Sequence, residues 1–190
     1  MLIVEFYGVP SAGKSVFAAG CYSESVKHGF SATLVTEYVK SLANRNIPIS
    51  DIDQLYIIGN QTRWETECYG NYEVVFADSS PMLGAFYCAY YSRGEYSMQQ
   101  TVLDWEQRVA LKHGVKRLRV FLPRNPNWFQ QKGRYQQAEA AALMEPLLVN
   151  FLDGLKDPYI TLDHRDPLAL FEYIKKEGLL NDSAPRNPPL

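Results

Sequence analysis

The 190-residue chain has no apolar run close to the ~18 residues that a membrane-crossing helix needs, which predicts a protein without a membrane span. Its three cysteines, Cys21, Cys68 and Cys88, are scattered and form no C-x-x-C pair. That excludes a zinc ribbon and a disulfide scaffold, and predicts reduced thiols in a cytoplasmic protein. The first residues lack the basic stretch, apolar segment and cleavage site of a secretory leader, which points the same way. Charge is scarce too: 19 Lys and Arg against 21 Asp and Glu leave a net −2. A broad basic surface of the kind general nucleic-acid binders carry is therefore excluded.

What is present reads as a globular α/β chain. Hydrophobic residues make up 46 % of it, and a chain of this size buries about 70 % of its unfolded surface. The short apolar run Leu2–Tyr7 ends at a glycine turn, and Lys14–His28 reads as a helix closed by Gly29. Strands are expected at 31–36, 72–77, 117–122 and 159–162. Helices are expected at 37–44, from a cap at Ser50 or Asp51 toward Cys68, after Pro81, from Ser97 to His113, at 135–155 and at 167–177. Strict alternation of strand and helix predicts a three-layer α/β sandwich: a five-stranded parallel sheet with helices on both faces. The expected layout is one domain over residues 1–180, with a long loop at about 123–137 and a flexible tail at 181–190.

The strongest chemical signal is Gly8-Val9-Pro10-Ser11-Ala12-Gly13-Lys14-Ser15, which fits G-x-x-x-x-G-K-[ST] between a strand and a helix. Successive backbone N–H groups and the positive end of the helix cradle phosphate oxygens there. The expected nucleotide contacts are Gly8, Pro10, Ser11, Ala12, Gly13, Lys14, Ser15 and Val16. Lys14 meets the β/γ-phosphates, and Ser15 offers its hydroxyl to Mg²⁺. The apolar strand Val74-Val75-Phe76-Ala77 delivers Asp78 to the sheet's carboxyl edge, where it can hold the metal or take an acceptor proton. Glu37 follows the second strand in the same way, so metal holder and general base remain to be divided between Asp78 and Glu37.

From Gln107 to Ala138 there are eight Lys or Arg and no acid, pointing to anion handling at one place. Within this run Arg124, Lys132 and Arg134 are candidate lid cations, with Arg134 catalytic, closing over the transferred phosphoryl group. Tyr38, Gln61, Arg63 and Trp64 form an aromatic-polar set suited to stacking on and hydrogen-bonding a planar ring; for Trp64 the alternative is core packing. His164-Arg165-Asp166 mimics a protein-kinase catalytic loop. Its place after the fifth strand, with no DFG, reads instead as a loop near the adenine.

With those residues placed, the chain resembles the ribosylnicotinamide-kinase-like (NadR-type) branch of the P-loop kinases over about residues 2–165. The likeness is carried by Gly13-Lys14-Ser15, Glu37-Tyr38, Gly59-Asn60-Gln61, the strand ending at Asp78, and Pro126-Asn127-Trp128 leading to Arg134. Where that family often has an Asp-rich triplet, this chain has Asp78-Ser79-Ser80. In place of its Asp-Gly-x-Arg the chain has Gln130-Gln131-Lys132-Gly133-Arg134. The glutamate after the second strand also resembles the base of deoxynucleoside kinases. Together these imply an ATP- and Mg²⁺-dependent kinase whose acceptor is a hydroxyl on a nucleoside-like small molecule. Two other readings stay open: a kinase acting on DNA, at a 5′-hydroxyl or a hydroxymethylated base, and an NTPase switch with no acceptor.

Overall fold

A computed structural model of the chain describes residues 1–48, 53–125 and 138–180. The expected cap at Ser50 or Asp51, the segment carrying Lys132 and Arg134, and the tail at 181–190 lie outside the described residues.

The elements run β1 (Leu2–Tyr7), α1 (Lys14–Lys27), β2 (Ala32–Val35), α2 (Tyr38–Asn44), α3 (Gln54–Thr66), β3 (Val74–Ala77), α4 (Pro81–Tyr91), α5 (Gln99–His113), β4 (Lys116–Phe121), α6 (Ala138–Gly154), β5 (Tyr159–Thr161) and α7 (Pro167–Lys176). The five strands form one sheet in the order β2-β3-β1-β4-β5, and every pairing is parallel. The expected α/β sandwich is thus observed, with strand and helix ends moved by one to three residues. Parallel strands need covered faces, and β1 and β3 are buried along their whole length.

The pleat divides each strand between two cores. Leu2, Val4 and Phe6 pack with Phe17, Cys21, Leu170, Phe171 and Ile174 under α1 and α7. Ile3 joins Val75, Ala77, Cys68 and Val109 on the other face, while Tyr7 and Phe121 meet Met82, Phe86, Cys88, Met144 and Leu148 there. The three cysteines are free and buried, and burial pushes the Cys21 thiol up to about 12.

One position of β1 breaks its apolar pattern. Glu5, at the centre of β1, is fully buried beside Arg117 and Arg119 of β4. Arg117 Nη1 donates to Glu5 Oε1 at 2.6 Å, and its Nη2 donates to Glu65 Oε1 of α3 at 2.6 Å. Arg119 donates to Glu106 of α5 and, at 2.6 Å, to Asp157. Tyr7 hydroxyl donates to Glu5 Oε2 at 2.8 Å and accepts from Ser80 Oγ at 3.0 Å. This network corrects the view of a basic run gathered at one anion site. Arg117 and Arg119 are neutralised inside the protein, Arg108 and Lys112 line a groove with Trp105 away from β1's glycine turn, and Lys116 is exposed. Buried cations persist only with paired anions, and these anions come from β1, α3 and α5.

Three buried carboxylates, Glu5, Glu65 and Glu106, share two guanidiniums. The surplus acid shows in Glu106, which burial and the neighbouring Glu5 charge push up to about 8 against the pull of Arg117 and Arg119. Burial also raises Glu65, with Arg117 opposing. Between the ordinary carboxyl range and about pH 8 the unfolded chain releases a proton that folded Glu106 keeps, so stability falls as pH rises. We expect thermal midpoints to drop between pH 5 and 9, by an amount on the order of 2 kcal/mol in stability. Glu106→Gln should flatten that slope; an unchanged slope in differential scanning fluorimetry would count against the assignment.

Candidate phosphate and metal site

The turn after β1 carries the first layer of the site. Leu122 N–H donates to Tyr7 carbonyl at 2.8 Å, which brings the chain after β4 against Gly8. Gly8 has φ +156, and a Cβ there would meet Leu122 carbonyl oxygen at 2.8 Å and Ala12 Cβ at 2.9 Å. Only glycine fits that approach. Gly13 caps α1 in the left-handed region (φ 85), and Ser11 is left-handed as well (φ 66). The loop from Gly8 to Gly13 thus curls and points α1's first N–H groups at its hollow, the geometry that binds phosphate. Pro10 and Ala12 are buried in the loop wall. Val16 turns its side chain to solvent, 81 % exposed, leaving its backbone N–H as its means of contact. Lys14 is buried, its ammonium donating to Gly8 carbonyl at 2.8 Å.

Adjacent strands deliver the two carboxylates. Asp78 N–H donates to Val35 carbonyl at 2.9 Å, so the ends of β2 and β3 lie side by side, with Asp78 one residue beyond β3 and Glu37 two beyond β2. Both are buried. Behind Asp78, Ser80 accepts from Leu83 N–H at 3.1 Å, and Pro81 opens α4.

A side chain that sequence reasoning did not single out joins Asp78 to the loop. Lys40 of α2 donates to Ser15 Oγ at 2.6 Å and stands 3.8 Å from Asp78 Oδ2. The hydroxyl and the carboxylate therefore face one cation-sized point. Asp78 Oδ1 is buried without a hydrogen-bond partner among the described residues. This donor set fits Mg²⁺, which takes one or two protein oxygens and completes its shell with water and phosphate. Among the described residues no cluster of three or more His, Cys, Asp or Glu is placed to hold a metal, so water and nucleotide oxygens would complete the shell of a magnesium here.

The other side chains expected to meet substrate each have partners within the fold. Gln61 is 3 % exposed, and its amide is fully engaged. Its Oε1 accepts from Tyr38 N–H at 2.9 Å, and its Nε2 donates to Ser79 carbonyl at 2.9 Å and Thr36 carbonyl at 3.2 Å. It is a strut that clamps the residues flanking Glu37 to the residue after Asp78. Arg63 points outward and pairs with Glu67 at 2.9 Å, since residues four apart share a helix face. Trp64 packs edge-on to Tyr38 at 5.1 Å, so its ring is core packing between α2 and α3. Tyr38 is itself buried, and its hydroxyl donates to Tyr56 at 2.7 Å. Arg124 lies where the described chain stops after β4, its N–H donating to Glu145 of α6 at 2.8 Å. In the segment after β5, Asp166 caps α7 and Arg165 Nε donates to Ala12 carbonyl at 3.0 Å. The triplet thus buttresses the loop and is no protein-kinase centre.

A glycine-bounded loop between β1 and α1, on a sheet ordered 2-3-1-4-5, defines a P-loop α/β protein with the fold of P-loop kinases. The signature of the AAA domain family matches residues 3–167, and the chain belongs to that family. Among solved structures it is similar to deoxyadenosine kinase from M. mycoides with bound dATP, at TM-score 0.57 and 16 % identity over 94 % of this chain and 100 % of that one. The same enzyme with bound dCTP gives TM-score 0.54 and 14 % identity over 93 % and 98 %. The Mycobacterium tuberculosis APS kinase CysC Cys556Ala mutant follows at TM-score 0.49 and 14 % identity over 91 % and 96 %. No curated protein matches in sequence. No helix among the described residues is long and apolar enough to cross a membrane.

The strut generates a prediction. Gln61→Leu leaves the buried Ser79 carbonyl, the part-buried Thr36 carbonyl and the Tyr38 N–H without these partners, which should cost about 2–4 kcal/mol in urea unfolding. Gln61→Glu, which sets a buried carboxylate against the Ser79 and Thr36 carbonyls, should destabilise at least as much. A Gln61→Leu protein as stable as wild type would remove the strut.

Proposed function

We propose that the protein is a kinase that moves the γ-phosphoryl group of ATP to a hydroxyl on a nucleoside-like small molecule. The observation that carries this is the convergence of Ser15 Oγ and Asp78 on one cation position beside the phosphate loop. A buried carboxylate at that point matches the metal-holding role, which leaves Glu37 as the acceptor's base.

In this reading the loop amides and Lys14 hold the β/γ-phosphates, and Lys14 exchanges its bond to Gly8 carbonyl for phosphate oxygens. Ser15 and Asp78 would ligate Mg²⁺, which offsets the charge of the phosphates. Glu37 accepts the acceptor hydroxyl's proton as that oxygen bonds to the γ-phosphorus and the β–γ bridge breaks toward ADP. Arg124, Lys132 and Arg134 supply positive charge to the transferring group. Rate enhancement then comes from positioning and fixed charge. The deoxyadenosine kinase likeness and the glutamate after β2 support a nucleoside-like acceptor, and three free buried thiols support a cytoplasmic setting.

Radiolabel transfer from γ-³²P-ATP should be tested on free nucleosides, nicotinamide riboside and hydroxymethylated DNA oligomers. Labelled nucleoside-type products are expected. Labelling of DNA alone would move the substrate to nucleic acid, and ATP hydrolysis that no acceptor accelerates would overturn the kinase reading. Lys14→Ala should lower transfer by at least about 100-fold, the scale of one lost charged transition-state contact, with an unchanged circular dichroism spectrum. Undiminished transfer would refute the site.

A further inference from the structure

Lys40 stands one turn into α2, three residues after Glu37, with its side chain about a third exposed. Its ammonium is 2.6 Å from Ser15 Oγ and 3.8 Å from Asp78 Oδ2. Asp78 is 3 % exposed as a side chain, and Lys40 is a cation that the structure places beside it. A carboxylate taken out of water needs such a partner, because an uncompensated buried charge costs several kcal/mol. The same two side chains are those proposed above to ligate magnesium. A metal bonds oxygen at about 2.1 Å, so it and an ammonium already hydrogen-bonded to Ser15 exclude one another.

We propose that Lys40 is a displaceable counter-ion of the metal site. The proposal rests on the reading of Ser15 and Asp78 as metal ligands. With no nucleotide bound, Lys40 neutralises Asp78, satisfies Ser15 and keeps the two strand ends and α1 at their working separation. When the metal arrives, the ammonium leaves both oxygens. The metal thereby pays the cost of evicting an internal cation, so it binds weakly alone and well only together with the nucleotide phosphates. Lys40 is a positioning residue in this scheme, with no contact to reacting atoms required.

Mn²⁺ is a suitable probe, with free ion counted by electron paramagnetic resonance in the absence of nucleotide. Lys40→Met, similar in length but uncharged, should bind Mn²⁺ at least tenfold more tightly than wild type. Lys40→Arg, which keeps a cation, should stay close to wild type. Asp78→Asn combined with Lys40→Met should lose the gain. Equal Mn²⁺ affinity in wild type and Lys40→Met overturns the counter-ion, and the metal-site reading survives that result if Asp78→Asn weakens binding. Binding indifferent to Asp78→Asn overturns both. A second measurement separates displacement from general damage. In EDTA the thermal midpoint of Lys40→Met should lie below wild type, and millimolar Mn²⁺ should close the gap; a gap that Mn²⁺ leaves open counts against the proposal.

Discussion

Two buried guanidiniums hold the far side of this fold together. Arg117 and Arg119 enter from one strand and each reaches acids on other elements, so β1, β4, α3 and α5 are fixed to one another through charge as well as apolar contact. Breaking one member would strand the others in a medium that cannot solvate them, a penalty of about 3–5 kcal/mol. Replacing the whole set by well-packed apolar groups would not carry that penalty, so the network is better understood as fixing register than as adding stability. It does one thing an apolar cluster cannot: through Tyr7 and Ser80 it runs from beneath the sheet to the turn that presents Asp78.

The site above it is assembled from ends. Phosphate is met by the turn after β1, and the carboxylates stand beyond β2 and β3. Such pieces drift independently unless something spans them. Gln61 spans two of them with backbone bonds, and Arg165 ties the third to the segment after β5. Catalysis by positioning requires this rigidity, since phosphoryl transfer leaves little else for the protein to do.

Local signals carried most of the fold. Glycines punctuate β1 and α1, Ser80-Pro81 and Asp166-Pro167 open helices by ordinary capping, and each strand is a short run rich in apolar or β-branched residues. Within the site, Gly8 through Ser15 and the carboxylates at two strand ends were legible for the same reason: each depends on neighbours in sequence. Pairing across the fold was not. Arg117 and Arg119 read as members of a basic run handling an anion, because Glu5 lies 112 residues from its partner and Glu65 lies 52 away. Gln61 offered the hydrogen-bonding groups of a ligand contact, and only the folded chain shows that its own backbone uses them all. Lys40 sits on a short helix with every mark of a solvated lysine. Its partners come from α1 and β3, and no periodicity announces them.

The three cysteines give the molecule an unintended gauge. Cys21 belongs to the layer beneath α1 and α7, whereas Cys68 and Cys88 sit in two clusters on the opposite face. Burial raises all three thiols, so none is a ready nucleophile while its layer stays shut. The order in which a thiol reagent marks them is therefore a record of which layer parts first. A bound nucleotide that gripped α1 would delay Cys21 ahead of the other two.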